Sequence, residues 1–452
     1  MTPQTAGPRT KGLRLDADVP VAVLRERLAA AAEARPGAGE RVDGGLFSWP
    51  LLTLDDAALE HNVAAAARVL AAGGVEHAPH VKTHMSRPLW ERQARAGAWG
   101  ATVATPAQLR TLRDWGVRRA LLANELLDAR DAAWLRDVLA ADGFAEVWLE
   151  VDSPRGVAVL ADAFAGAGPD VAGRLGVLVE VGLPGGRTGV RGAGDVVALA
   201  RAARDAGLRV LGVAGYEGPA AAHADTAGLA AVAAWCDALA AAGELLRAEG
   251  LAGAGEPLVL SAGGSAFLDV VLDRLRPRPA GAPGATRVVV RSGAYVTHDH
   301  GHYATTDPWA RIAGAAPLRP AITVWGQVLS APEPGLVLLG VGRRDVSFDI
   351  DLPLPLWVRR PGPDGRLGAA RPLPGARVTA LNDQHAYVAL GADDRAGDGD
   401  GDGDGGGGAD AAPAPGDVVG LGVSHPCTTL DKWRVAAVTR GDVVVDLYPI
   451  DL

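Results

Sequence analysis

The chain has 452 residues, 48% of them hydrophobic, enough apolar material for a large core and by default for two domains. A net charge of −9 argues against nucleic acid or an anionic membrane surface as partner. The only cysteines, Cys236 and Cys427, stand far apart, which argues against a disulfide scaffold and for a reducing, cytoplasmic setting.

Residues 1–45 open with MTPQTAGPRTKGLRLDADVP, which lacks the apolar core of a signal peptide. They are assigned to an extension associated with the second domain. From about residue 50 the pattern becomes regular. WPLLTL reads as a strand, and Asp55 then caps an alanine-rich helix that ends at Gly73-Gly74. HAPHVKT reads as a strand, followed by a helix through PLWERQARAG. GATVAT is the next strand and PAQLRTLRDWG the next helix, with Pro106 in its first turn. RRALLANE, AEVWLEVD, RLGVLVEVGL, LRVLGVAGYEG, PLVLSAGGS and TRVVVRSGAYVTHD continue the strand series. Helical segments such as DVVALARAARDAG fall between most of them. Short Val/Leu-rich runs alternating with longer helices argue for βαβ units and a parallel sheet. Eight or so units over roughly 250 residues fit a (β/α)8 TIM-like barrel, placed at 46–308, better than an open doubly wound sheet. The pattern alone leaves the open sheet standing. No uninterrupted apolar run is long enough for a membrane span, and alanine-rich stretches such as GLAAVAAW read as buried helix.

After about residue 310 the helices vanish. AITVWGQVLS, GLVLLGVG, LPLWVRR, ARVTALNDQHAYVAL, DVVGLGV and RGDVVVDLYPI are short strands between Gly/Pro turns, a second, mainly β domain at 309–452. Residues 395–416, RAGDGDGDGDGGGGADAAPAPG, read by composition as a disordered loop. Their Asp spacing suggests a calcium loop only superficially, because Ala409 stands where the twelfth-position glutamate belongs.

Two clusters carry chemistry. In HAPHVKTHMS, Lys82 ends a short apolar run, with His77, His80 and His84 around it. Lysine is costly to bury unless paired or chemically used. At the C-terminal end of a barrel strand it is a catalytic candidate, because active sites form on that face. A desolvated lysine near other cations has a lowered pKa and attacks carbonyls. The plainer alternative is a lysine that snorkels from a strand end. The second cluster is SHPCTT, where His425 and Cys427 stand two apart, so that on an extended chain both side chains face one way. Imidazole plus thiolate favours zinc, although a packed histidine beside a buried cysteine would give the same spacing.

The segment PHVKTHMS resembles the cofactor-lysine segment of the fold-type III pyridoxal 5′-phosphate enzymes, in the branch of the D-threonine aldolases and D-serine dehydratases. The resemblance runs from about residue 45 to the C-terminus through GATVATPAQLRTLRDWGV, GGRTGVR, GYEGP, SAGGS, RSGAYVTHDHGHY and GVSHPCTTLDKWR. It implies a barrel of the alanine racemase N-terminal type plus a β domain. Lys82 would carry the cofactor and then act as base at the substrate Cα. Arg187 in GGRTGV would face the ring nitrogen, where an always-protonated guanidinium leaves the ring a weaker electron sink. Tyr216 would lie beside the phosphate and ring. Gly263, Gly264 and Ser265 would cradle the phosphate where a strand gives way to the helix SAFLDVVLDRL. Tyr295, with Thr297, would complete the cradle or the substrate pocket, and His80 and Thr83 would shape the pocket. His425 and Cys427 would be the metal pair, and the cysteine points to Zn2+ and to the dehydratase side, since the aldolases more often carry an acidic residue there. The implied reaction removes water from a D-β-hydroxy amino acid to give a 2-oxo acid and ammonia. D-Threonine aldolase chemistry is the alternative, alanine racemase chemistry a poorer third because it needs no metal pair, and a non-catalytic cofactor-binding protein would have no use for His425 and Cys427. A homodimer is implied, the β domain of one chain facing the barrel of the other.

Overall fold

The computed structural model describes residues 4–34, 39–253, 255–392, 394 and 412–452. Residues 395–411, most of the expected loop and its calcium-like spacing, lie outside the described residues.

The Val/Leu-rich runs form an eight-stranded parallel sheet in the spatial order 76–77, 286–290, 258–262, 209–215, 175–181, 146–151, 119–122, 101–103. Its two ends meet through a parallel bridge between His80 and Thr102. There the Trp99 N–H donates to His77 O at 2.7 Å and the Thr102 N–H to Pro79 O at 2.9 Å, so the sheet closes into a barrel. The strands are buried on both faces, which is why they read as continuous apolar runs rather than alternating ones. Leu121, Trp148, Leu178, Leu211, Val259 and Val289 fill the barrel axis.

Helices follow the strands outside. The sequence marks their starts: Thr105 accepts from the Gln108 N–H, Ser153 from Gly156 and Asp225 from Gly228. Gly116, in the left-handed region at φ +79°, ends the helix Pro106–Trp115. The helix Asp56–Ala72 packs against the turn Ala294–Val296 that follows the strand 286–290, and Asn62 Nδ2 donates to the Val296 and Arg319 carbonyls at 3.1 and 2.8 Å.

The second domain is an antiparallel β structure around the long strand Ile322–Glu333. Two strands of this domain differ from the sequence pattern. The strand Leu51–Asp55, inside the span read as barrel, pairs instead with Ile322–Glu333 and Val435–Arg440. A strand followed by a capped helix looks the same locally whichever sheet takes the strand. Val435–Arg440 is itself a strand absent from the sequence reading. The described part of the N-terminal extension packs on this domain: Leu13, Val21, Leu24 and Leu28 share a core with Val435, Val444 and Leu447, and Arg25 pairs bidentately with Asp446.

The helix Thr226–Ala248 is long and apolar enough by length and composition to cross a membrane, but it buries Val232, Trp235, Cys236, Leu239 and Leu246 within the protein. Burial pushes the Cys236 thiol up to about 12, so it stays protonated. Cys236→Ala is expected to cost about 1 kcal/mol of stability in denaturant titration by leaving a small cavity. Metal content, measured on the same preparation, should not change.

Candidate active site

A cavity of about 300 Å³ opens at the C-terminal ends of the barrel strands, and each of the eight contributes to its wall. Lys82, Arg187, Tyr216, Gly263, Gly264 and Ser265 all line it, as do His425 and Cys427 from the β domain.

Lys82 does not sit on a strand. The strand is only Glu76–His77, and Val81–Thr83 form a single 3-10 turn. The turn lifts the lysine into the cavity half-buried, with no hydrogen-bond or ion-pair partner among the described residues. Burial lowers its pKa; the Cys427 and Glu150 charges oppose the shift, and the Arg187 and Arg291 guanidinium groups reinforce it. The neighbouring histidines supply no charge. Burial drives His77 and His84 down to about 4, and both are held away from the cavity, His77 Nε2 at 3.1 Å from Ser292 O and His84 Nε2 at 3.3 Å from Gln93 Oε1. His80 lines the cavity, and its buried Nδ1 has no partner among the described residues.

Arg187 is exposed at the cavity wall, its guanidinium 5.2 Å from the Tyr216 ring centre. Arg291, missed by the sequence reading, is buried below. Its Nη1 donates to Glu150 Oε1 at 2.6 Å and to Ser261 Oγ at 3.1 Å, and its Nη2 to Gly215 O at 2.5 Å. Glu150 and Glu180, also missed, are buried beside it. Each is a carboxylate flanked by apolar residues within a strand, in VWLEV or VLVEV, and that interruption was a usable signal. Burial and the Glu150 charge push Glu180 up to about 7, while the Thr188 hydroxyl donates to it at 2.6 Å.

The glycine turn departs from the simple cradle. The helix begins only at Leu268, and the Gly263 and Gly264 N–H groups donate to the buried Glu217 carboxylate at 3.0 and 2.5 Å. The N–H groups of Ser265 and Gly293, both on the cavity wall, have no acceptor among the described residues. Tyr295 is not in this cavity. Its hydroxyl accepts from Gln93 Nε2 at 3.0 Å and its ring packs near His77 and Trp309, because the turn Ala294–Val296 rolls it outward against the helices. Tyr303 lines the cavity instead.

His425 and Cys427 face the cavity together, although not on an extended chain. His425 is extended at φ −147°, and Cys427 lies in the first turn of the short helix Pro426–Leu430. The Cys427 thiol donates to Thr83 Oγ1 at 3.4 Å, one residue from Lys82. Asp349, a further residue missed from sequence, accepts from His425 Nδ1 at 2.7 Å. Burial lowers the His425 pKa, but the Cys427 and Asp349 contacts outweigh it and push it up to about 9.

The residues fit both groups implied by the resemblance. An unpartnered half-buried lysine, free N–H groups at Ser265 and Gly293 and the orphaned His80 Nδ1 suit a phosphorylated aldehyde. An imidazole oriented by a carboxylate at Nδ1, beside a thiol, suits a soft divalent metal at Nε2 and Sγ. Among the described residues no group of three or more His, Cys, Asp or Glu could hold a metal.

The alanine racemase N-terminal domain model matches residues 54–268, and the model described as "Putative serine dehydratase domain" matches residues 321–439. D-Threonine aldolase of Arthrobacter sp is 26% identical over 409 residues, covering 89% of this chain and 91% of that protein. D-Threo-3-hydroxyaspartate dehydratase of Delftia sp. is 31% identical over 259 residues, 55% of this chain and 63% of that protein. The crystal structure of D-threonine aldolase from Filomicrobium marinum superposes with a TM-score of 0.68 at 23% identity, covering 89% of this chain and 95% of that one. A cysteine-to-alanine mutant of the dehydratase in the metal-free form gives 0.65, with 89% and 97% covered.

The raised Glu180 pKa has a stability consequence. An unfolded glutamate titrates at its ordinary value of 4.5, the folded Glu180 at about 7. The folded state therefore holds its proton longer, and stability falls as pH rises through that window. In cofactor-free protein, Glu180→Gln should leave stability unchanged near pH 4.5 and raise it by on the order of 2 kcal/mol at pH 8. Thermal melts at the two pH values check this; equal effects at both would contradict it.

Proposed function

We propose that this chain, which belongs to the fold-type III pyridoxal-phosphate enzymes, is a zinc-dependent dehydratase of a D-β-hydroxy amino acid, of the D-serine dehydratase type. Its curated relatives are aldolases and a dehydratase acting on such substrates, which supports a lyase. The observation that carries the finer reading is the Cys427–Thr83 contact of 3.4 Å, which brings a metal-type donor pair to the turn that bears Lys82. Two solved dehydratase structures are of variants at a histidine and a cysteine two positions apart, the spacing of His425 and Cys427, and the cysteine variant is in metal-free form.

Pyridoxal phosphate, when bound, supplies an electron sink for the substrate Cα. His425 Nε2 and Cys427 Sγ would hold zinc, whose chemistry there is Lewis-acid help to a departing β-oxygen. Lys82, kept short of its ordinary proton affinity by burial, takes the Cα proton. The Ser265 and Gly293 N–H groups bind the phosphate, Asp349 orients His425, and Arg187 and Tyr216 bound the ring side. Loss of water and its return by hydrolysis convert D-serine to pyruvate and ammonia. The alternative, Cα–Cβ cleavage of D-threonine to glycine and acetaldehyde, is favoured by the wide coverage of the match to D-threonine aldolase. The reading includes a homodimer, in keeping with Phe348 and Ile350, 44% and 47% exposed on either side of Asp349.

Purified protein given D-serine, D-threonine and D-3-hydroxyaspartate, with and without zinc, should release 2-oxo acid and ammonia in a zinc-dependent way. Glycine and an aldehyde as the sole products would select the aldolase. Lys82→Ala should abolish both the visible absorbance of bound cofactor and turnover; a borohydride-fixed cofactor in that variant would place the anchor elsewhere.

Cys427→Ala should lower zinc per chain and cut elimination at least a hundredfold while the cofactor colour stays. Unchanged zinc, or full turnover after chelation, would remove the metal from this reading.

A further inference from the structure

The Gly263–Gly264 turn is held from both sides by groups the proposed reaction does not use. Glu217 is fully buried, and its two carboxylate oxygens accept one N–H each, from Gly263 at 3.0 Å and Gly264 at 2.5 Å. The Ser292 hydroxyl lies 3.1 Å from Gly263 O and 2.8 Å from Gly264 O. Gly263 takes φ +91°, open to glycine at little cost, and a Cβ on Gly264 would stand 2.6 Å from the Tyr216 ring. The turn therefore has one shape, set by its neighbours.

Glu217 forms no ion pair among the described residues. The nearby cation, Arg291, is committed to Glu150, Ser261 and Gly215 O. A buried carboxylate kept without a counter-ion needs other compensation, and two N–H groups from consecutive residues supply it. Those two donors point at Glu217 and are not available to a phosphate. Among the described residues, Ser265, directly after the turn, and Gly293, directly after Ser292, keep N–H groups on the cavity wall that have no acceptor.

We propose that Glu217 is a positioning residue for the phosphate end of the cofactor: its carboxylate fixes the Gly263–Gly264 turn so that the Ser265 and Gly293 N–H groups converge on the phosphate. This rests on the pyridoxal-phosphate reading above. The opposing account makes Glu217 an internal stand-in for phosphate, which the cofactor must displace from the glycine N–H groups.

The test uses full-length Glu217→Ala and Glu217→Gln. Cofactor-free protein is titrated with pyridoxal phosphate and, separately, with pyridoxal, which lacks the phosphate, and read by visible absorbance. The dissociation constant for pyridoxal phosphate should rise at least tenfold in Glu217→Ala and by less in Glu217→Gln, which keeps one acceptor. That for pyridoxal should stay within about twofold, because the lysine side of the cavity is untouched. Equal losses for the two ligands would show a general structural role and overturn the proposal. Unchanged or tighter pyridoxal phosphate binding would do the same in favour of the stand-in. If Glu217→Ala does not melt cooperatively, Glu217→Gln decides, and a ligand ratio equal to wild type overturns the proposal. Wild-type protein that takes up pyridoxal but gains nothing from its phosphate defeats this inference alone; wild type that takes up neither defeats the parent reading.

Discussion

The buried Arg291 guanidinium holds the reactive end of the barrel together. It stands at the end of its own strand and reaches three others, through Glu150, Ser261 and the Gly215 carbonyl. Four of the eight strand ends thus share one side chain. Burying such a pair gains little net stability, but removing either partner would strand a charge in the barrel. What the arrangement secures is geometry. The four strand ends are tied to one another, and the barrel's own cavity residues Glu150, Tyr216 and Gly263 sit on or beside them.

The same charge acts on the chemistry. Lys82 has no hydrogen-bond or ion-pair partner among the described residues, and burial together with Arg187 and Arg291 holds its proton affinity below the ordinary range. Glu150 spends its charge on Arg291, and Glu180 beside it is pushed toward the neutral acid. The cavity floor is therefore a balanced set of opposite charges, and the one amine above it is available. The three histidines that surround Lys82 in sequence add no charge to this balance, since burial keeps His77, His80 and His84 neutral.

Much of this was legible in the sequence, for a physical reason. Parallel strands buried on both faces write themselves as unbroken Val/Leu runs, and helix starts are marked by Asp, Ser or Thr, so the barrel could be read locally. Motif residues next to a strand end, such as Lys82 and Arg187, were legible with it. What could not be read was pairing at long range. Leu51–Asp55 has the local pattern of a barrel strand, but its partners lie some 270 and 385 residues away, in register with Thr323 and Val438. Tyr295 was misplaced because a 3-10 turn of three residues decides which way its ring points, and no periodicity reports so short an element. Glu217 was overlooked beside Tyr216 because the glycine N–H groups look free until the fold brings a carboxylate to them.

The misplaced strand also explains how two domains can share one reaction centre. Leu51–Asp55 belongs to the β sheet, and the helix that starts at the next residue belongs to the barrel wall. Asp56, at that junction, is buried and bonded both to Arg92 of the barrel helix Arg87–Arg95 and to Arg440 of the strand Val435–Arg440. At the other end of the chain, the Asp451 N–H donates to Met85 O at 2.7 Å, just past the lysine turn, and Asp451 Oδ2 accepts from Trp115 Nε1 at 2.9 Å. The β domain is therefore tied to the barrel at both of its chain ends. Hinge motion between the domains would have to break the ion pairs of buried Asp56 and the contacts of Asp451 with Met85 and Trp115. His425 and Cys427 can consequently be carried on one domain and Lys82 on the other and still meet across Thr83.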